Sequence, residues 1–182
     1  MLFRSKDFPC EFGGHSDALL ECDSLIISPG IPLDIPILVK ARNKSIELIS
    51  EIEFGFRIKH PDSRIIAVTG SNGKSTTVSL IHHILQNMGC KSLLAGNIGD
   101  AFSSFPIHQP GYDYIVLEIS SFQLDLITSF KPDVAVLLNI TPDHMNRYAS
   151  FEHYAQSKAN IFKYQDENDC AKIGRASCRE RV

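Results

Sequence analysis

An apolar, β-branched run, Arg64-Ile65-Ile66-Ala67-Val68-Thr69, passes without a break into Gly70-Ser71-Asn72-Gly73-Lys74-Ser75-Thr76 and then into a segment with helical spacing. A strand that opens through a glycine-bearing loop directly onto a helix constrains the fold more than any other feature of the chain. It calls for a parallel sheet with crossover helices, and it makes the loop an anion trap. Gly70, Ser71, Asn72 and Gly73 let backbone N–H groups converge, and the helix N-terminus adds positive potential. Lys74 neutralises β/γ-phosphate charge, and a hydroxyl of Ser75 or Thr76 can ligate Mg²⁺. The spacing is G-x-x-G-K-S, shorter than the commoner G-x-x-x-x-G-K-[ST], because Val68 stands five residues before Gly73. A plain strand-to-helix turn is the bland alternative, and Lys74-Ser75-Thr76 with its flanking elements weighs against it.

The rest of the chain supplies partners for that strand. Ser24 to Ser28, Tyr114 to Glu118 and Val134 to Asn139 are short apolar runs of the kind found in buried parallel strands, and Lys91 to Ala95 is a further candidate. Helical spacing predicts a helix over Thr76 to Met88, stopped by Gly89, another over Ile119 to Phe130, and a third over Ser150 to Tyr164 with Ser150 as N-cap. The expectation is an α/β fold with a mostly parallel, doubly wound sheet. Ile46 to Pro61 has no clear period, and Pro61-Asp62-Ser63 marks a break, so residues 1–60 are read as one unit and 61–170 as a second. Residues 171–182 are arginine-rich without apolar periodicity and are read as a disordered or foreign tail, nothing beyond Lys158 resembling a further strand.

A net charge of -3 over 182 residues gives no global attraction for nucleic acid or anionic membrane, so an anion must be caught by local geometry. The five cysteines are odd in number and never form a C-x-x-C pair, which argues against a disulfide framework or a zinc site and for a reducing cytosol. No apolar run approaches the ~20 residues of a membrane-spanning helix.

Several polar residues fall at strand ends, where ligands of open α/β sheets bind. Glu118 ends one strand and is placed to hold Mg²⁺, with a solvated strand-end glutamate as the alternative. Asn139-Ile140-Thr141-Pro142-Asp143-His144 ends another, and a capping aspartate in a loop is nearly as good a reading of Asp143-His144. Gly96-Asn97-Ile98-Gly99 and Ser28-Pro29-Gly30-Ile31 are turns by composition. Lys158 on its helix is, by residue physics alone, a solvated helix former.

Taken together, Thr69 to Thr76, Gly96 to Gly99, Leu117-Glu118-Ile119-Ser120-Ser121-Phe122-Gln123-Leu124 and Asn139 to Met145 resemble the Mur ligases of peptidoglycan synthesis. The Ser120 to Leu124 run, the Ser28 to Ile31 turn and Glu51-Ile52-Glu53-Phe54 look most like the D-glutamate-adding branch. The resemblance implies a three-domain enzyme, of which residues 15 to 170 would be the end of the UDP-sugar domain and about half of the central ATPase domain. It implies ATP and Mg²⁺ as cofactors, UDP-MurNAc-L-Ala and D-glutamate as substrates, and a cytoplasmic, monomeric enzyme that works through an acyl phosphate. It assigns Lys74, Ser75 and Thr76 to the phosphates and Mg²⁺, Glu118 to Mg²⁺, and His144 to the metal and substrate. Lys158 takes the place of a lysine carbamylated to hold a second Mg²⁺. Asn97, Ser120 and Gln123 would contact the muramoyl-alanine part, and Ser28, Pro29 and Gly30 the uridine diphosphate. Another amide ligase such as folylpolyglutamate synthase, and a P-loop NTP-binding regulator, remain as alternatives, and the segment by itself is expected not to ligate.

Overall fold

The computed structural model describes residues 11–143 and 145–174. Two parallel sheets organise them. The first pairs β1 (Ser24–Ile27) with β2 (Glu47–Ser50), joined by α1 (Pro36–Asn43), whose first residue is a proline suited to a helix start. The second has five strands in the order β4-β5-β3-β6-β7, all parallel: β3 (Arg64–Thr69), β4 (Ser92–Gly96), β5 (Tyr114–Glu118), β6 (Val134–Leu137) and β7 (Cys170–Ile173).

Alternation along the central strands divides the core between the two faces of the sheet. Ile65, Ala67, Ile115 and Leu117 join one cluster, while Val68 and Val116 pack with Val78 in another. The second face is covered by α3 (Lys74–Asn87), which contributes Val78, Ile81 and Leu85. The first is covered by Phe102, Leu124, Phe130, Ile161 and Ile52, the last from α2 (Glu51–Ile58). Cover on both faces is why β5 reads as an unbroken apolar run rather than an alternating one.

The structure departs from the sequence reading in four places. Ile46 to Pro61 holds β2 and α2, two short elements whose periods overlap too briefly to register. The boundary drawn at residue 61 separates α2 from the cluster that buries Ile52, so by packing α2 goes with the second sheet. The expected helix over Ile119 to Phe130 shrinks to α4 (Ser121–Leu124), because the N–H groups of Thr128, Ser129 and Phe130 turn to the Glu53 carboxylate instead of to helical carbonyls. The tail prediction fails for residues 171–173, which lie in β7, a further strand in register with β6 and followed by a Gly174 N–H bond to Leu137 O. This strand is exposed at all four positions, so it lacks the apolar signature. Residues 175–182 lie outside the described residues. The third helix is α5 (Phe151–Ala159), followed by a 3₁₀ turn over Asn160–Phe162, and Ser150 caps it by accepting the His153 N–H. Among the described residues no helix is long and apolar enough to cross a membrane.

Candidate functional site: a phosphate loop at the centre of the sheet

The strand order places β3 between β5 and β6, two strands that follow it in the chain. The loops leaving the carboxyl ends of these three strands therefore meet, the place where open α/β sheets bind ligands. At the end of β3, Gly73 takes φ 83° as the N-cap of α3, a left-handed conformation open to glycine at no steric cost. Side chains from the neighbouring strand end hold the loop in shape. Asn139 and Asn72 exchange two hydrogen bonds, the Asn72 N–H donating to Asn139 Oδ1 and Asn139 Nδ2 donating to Asn72 O, both at 3.0 Å. Ser71 Oγ bonds the backbone of Thr141 and lies 3.0 Å from the Tyr154 hydroxyl on α5. Asn139→Ala removes both amide contacts and is expected to weaken nucleotide affinity by about tenfold, as one or two lost hydrogen bonds at ~1 kcal/mol each imply. Calorimetric titration with Mg·ATP checks it, and wild-type affinity in the variant would show that the loop keeps its shape unaided.

Glu118, at the end of β5, is almost fully buried, and each of its carboxylate oxygens is engaged. Oε2 accepts from Ser75 Oγ at 2.7 Å, and Oε1 accepts from Asn97 Nδ2 at 3.0 Å. Ser75, rather than Thr76, is thus the loop hydroxyl beside the carboxylate. The backbone of Asn97 closes on the same residue, its N–H donating to Glu118 O at 2.8 Å. Gly96 permits this approach: its φ is 103°, and a Cβ there would stand 2.3 Å from Glu118 O. A hard-oxygen pair of one carboxylate and one hydroxyl suits Mg²⁺, which binds through one or two carboxylates, water and substrate phosphates. No group of three or more His, Cys, Asp or Glu side chains able to hold a metal occurs among the described residues.

Two lysines converge on the loop. Lys74 Nζ donates to Gly70 O at 2.9 Å and Ser71 O at 3.2 Å, and Lys158 Nζ donates to the same Gly70 O at 3.0 Å. Lys158 is buried, with its ammonium 4.7 Å from the centre of the Tyr154 ring. Burial, reinforced by repulsion from Lys74 and only partly offset by Asp143, lowers its pKa to about 8. The solvated reading of Lys158 is therefore wrong: α5 turns it inward, and a helix of low amphipathic contrast gave no warning.

Pro29, Gly30, Asn97 and Ser120 line one cavity of about 330 Å³ together with Lys74 and Lys158. Ser28 lines a neighbouring cavity of about 560 Å³. Gln123 lines neither. It is buried in a capping box, its Oε1 accepting from the backbone and hydroxyl of Ser120, and so sets the start of α4. His144 lies outside the described residues. The sequence reading put Asn72 in the phosphate loop and Asn139 in the strand-end cluster without joining them, and it had no role for Tyr154 or Arg147; the only available signal was their place four residues before Lys158 and beside the Asp143 motif.

A model of the Mur ligase middle domain matches residues 68–177, most of the second sheet and its loops. The chain belongs to the Mur ligase family. This Mur ligase chain is 52% identical over 155 residues to the UDP-N-acetylmuramoylalanine--D-glutamate ligase of Cytophaga hutchinsonii, covering 84% of the chain and 34% of that relative. It is 46% identical over 151 residues to the ligase of the same name from Alkaliphilus oremlandii, covering 83% and 33%. The chain thus spans about one third of the length of the curated relatives it matches. Among solved structures it resembles the UDP-N-acetylmuramate:L-alanyl-gamma-D-glutamyl-meso-diaminopimelate ligase of Neisseria meningitides, with a TM-score of 0.61 at 17% identity over 91% of this chain and 57% of that one. At that identity the likeness is one of fold.

Proposed function

We propose that the whole protein joins D-glutamate to UDP-N-acetylmuramoyl-L-alanine in the cytoplasm, and that this segment holds the phosphate and metal end of that reaction. The observation that carries the reading is the convergence of Lys74, Ser75, Glu118 and Lys158 on one loop, in a chain about half identical over most of its length to a ligase of that name. ATP would phosphorylate the alanyl carboxylate, and the glutamate amine would displace phosphate from the acyl phosphate. The protein's part is positioning and charge neutralisation. The loop N–H groups and Lys74 bind the β- and γ-phosphates. Ser75 and Glu118 would hold Mg²⁺, which supplies further charge neutralisation when bound. His144 is assigned to the metal and the substrate.

For Lys158 we propose carbamylation. A pKa near 8 leaves a substantial share of its amine unprotonated at neutral to mildly alkaline pH, and only that form attacks CO₂, giving a carbamate and releasing one proton. The product is an anion where an ammonium stood, able to hold a second Mg²⁺. Asn97 and Ser120 would contact the muramoyl-alanine part, and Pro29 and Gly30, with Ser28 beside them, the uridine diphosphate.

The test is product formation by the whole protein with Mg·ATP, UDP-N-acetylmuramoyl-L-alanine and D-glutamate, omitting each in turn. ADP release that needs both other substrates is the expected result. ATP turnover indifferent to the nucleotide sugar would overturn the ligase reading in favour of a nucleotide-driven regulator, and turnover with a folate in its place would favour the folylpolyglutamate alternative. The 182-residue segment alone is expected to bind Mg·ATP and form no product.

A further inference from the structure

Beside the phosphate loop stands a stack of side chains that the reading above leaves unused. The Arg147 guanidinium lies 4.7 Å from the centre of the Phe122 ring. Phe122, on α4, stacks on Tyr148 with centroids 5.6 Å apart and planes 6° from parallel. Tyr148 is fixed in turn: His153 meets it edge-on at 5.3 Å, and its hydroxyl donates to Asp125 at 3.0 Å. The stack joins α4, α5 and the loop between β6 and α5, so the arginine rests on a shelf built from separate elements rather than swinging freely.

Three properties make this cation available. It is exposed, and no ion pair to it is found among the described residues. The cation–π contact engages its charge but none of its five N–H donors. It also stands at a boundary: Arg147, Phe122 and Pro29 line both the cavity that contains Lys74 and Lys158 and the larger one along Ser28 to Asp34.

We propose that Arg147 is an anion clamp for the nucleotide-sugar substrate, gripping its diphosphate from the side opposite the Ser28–Gly30 turn. The inference rests on the proposed function, which puts the reacting carboxylate at Lys74 and Lys158 and the diphosphate at that turn. A ligand laid between those two points passes the guanidinium, whose forked donors match phosphate oxygens two at a time. The turn, tied by the Ile31 N–H bond to Ser28 O at 3.0 Å, offers one wall, and the arginine on its aromatic shelf offers the other.

The test compares Arg147→Ala, Arg147→Lys and Phe122→Leu with the wild-type protein by calorimetric titration with UDP-N-acetylmuramoyl-L-alanine, UDP and Mg·ATP. Arg147→Ala is expected to weaken both uridine nucleotides by roughly tenfold or more and to leave Mg·ATP within twofold, which also shows that the variant is folded. Arg147→Lys should recover part of the loss, and Phe122→Leu, which keeps the charge and removes the shelf, should lose a few-fold. Wild-type affinity of Arg147→Ala for the nucleotide sugar overturns the clamp while the ligase reading stands. A loss for the nucleotide sugar but not for UDP overturns the assignment to the diphosphate. A wild-type protein that binds Mg·ATP but neither uridine nucleotide overturns the clamp and the substrate reading together.

Discussion

Lys74→Ala is expected to lower ligation by the whole protein on the order of 100- to 1,000-fold, the usual cost of deleting one fixed charge aimed at developing negative charge. Its ammonium stands at the loop carbonyls of Gly70 and Ser71, within reach of any phosphate cradled there. The same substitution has a second readout that does not depend on turnover. Lys158 is held near pKa 8 first by burial and then by repulsion from Lys74, so removing the nearer cation should move the Lys158 titration upward without restoring an ordinary lysine value. Fewer Lys158 amines are then unprotonated at pH 8, and the capacity to take up CO₂ falls. Isotope-edited NMR of the lysine side chains reads that titration directly. Activity within a few-fold of wild type would remove Lys74 from the phosphate site, and an unmoved Lys158 would show that the two ammonium groups do not share a field.

The largest expected effect on stability lies away from the loop, at Glu53. This carboxylate is completely buried on α2, and Oε2 accepts the N–H groups of Thr128, Ser129 and Phe130 at 3.0, 3.0 and 2.8 Å. Oε1 accepts from Arg57 Nε at 2.8 Å and from the hydroxyls of Thr128 and Ser129. Burial alone would raise its pKa. The hydrogen bonds from Ser129, Thr128 and Arg57 outweigh it and bring the value from 4.5 down to about 2. A depression of that size corresponds to about 3 kcal/mol of folding stability, fully present above the unfolded value of 4.5 and lost as pH falls through 2. Glu53→Gln puts an NH₂ group among donors that need an acceptor. It is expected to cost about 3 kcal/mol at neutral pH and to flatten the acid limb of the stability curve between pH 4.5 and 2. Urea unfolding of both proteins at pH 7 and pH 3 measures it, and parallel pH profiles would mean that Glu53 titrates alike in the folded and the unfolded protein.

These two residues also mark what the sequence made legible. Lys74 sits in a contiguous motif whose meaning depends on a strand before it and a helix after it, and both show in a short stretch of sequence. The central strands were readable for the same reason: β3, β5 and β6 are covered on both faces and so carry apolar runs. Glu53 gives no such sign: Arg57, one helical turn on, reads as an ordinary i, i+4 ion pair, while Thr128, Ser129 and Phe130 lie more than seventy residues away and two of those three are unremarkable hydroxyl residues. β7 has no buried position at all and joins the sheet through backbone bonds alone, which composition cannot reveal. Lys158 and Gln123 are a matched pair of cases: residue physics put the first in solvent, and resemblance put the second at a substrate. The structure buries both, one beneath the phosphate loop and the other inside a helix cap.

The hold of distant residues on the phosphate loop also sets an order of events during synthesis. Residues 70 to 76 leave the ribosome early, yet β3 finds its sheet neighbours only in β5 and β6, and the loop is braced by Asn139, Thr141, Tyr154 and Lys158. A nascent chain that has passed the glycine motif carries its letters without its shape, and nucleotide cannot be captured until some eighty further residues have emerged. Contacts of such sequence separation are slow to form and leave apolar strands waiting. Pausing translation between residues 76 and 139 should therefore catch a chain that chaperones bind and ATP does not.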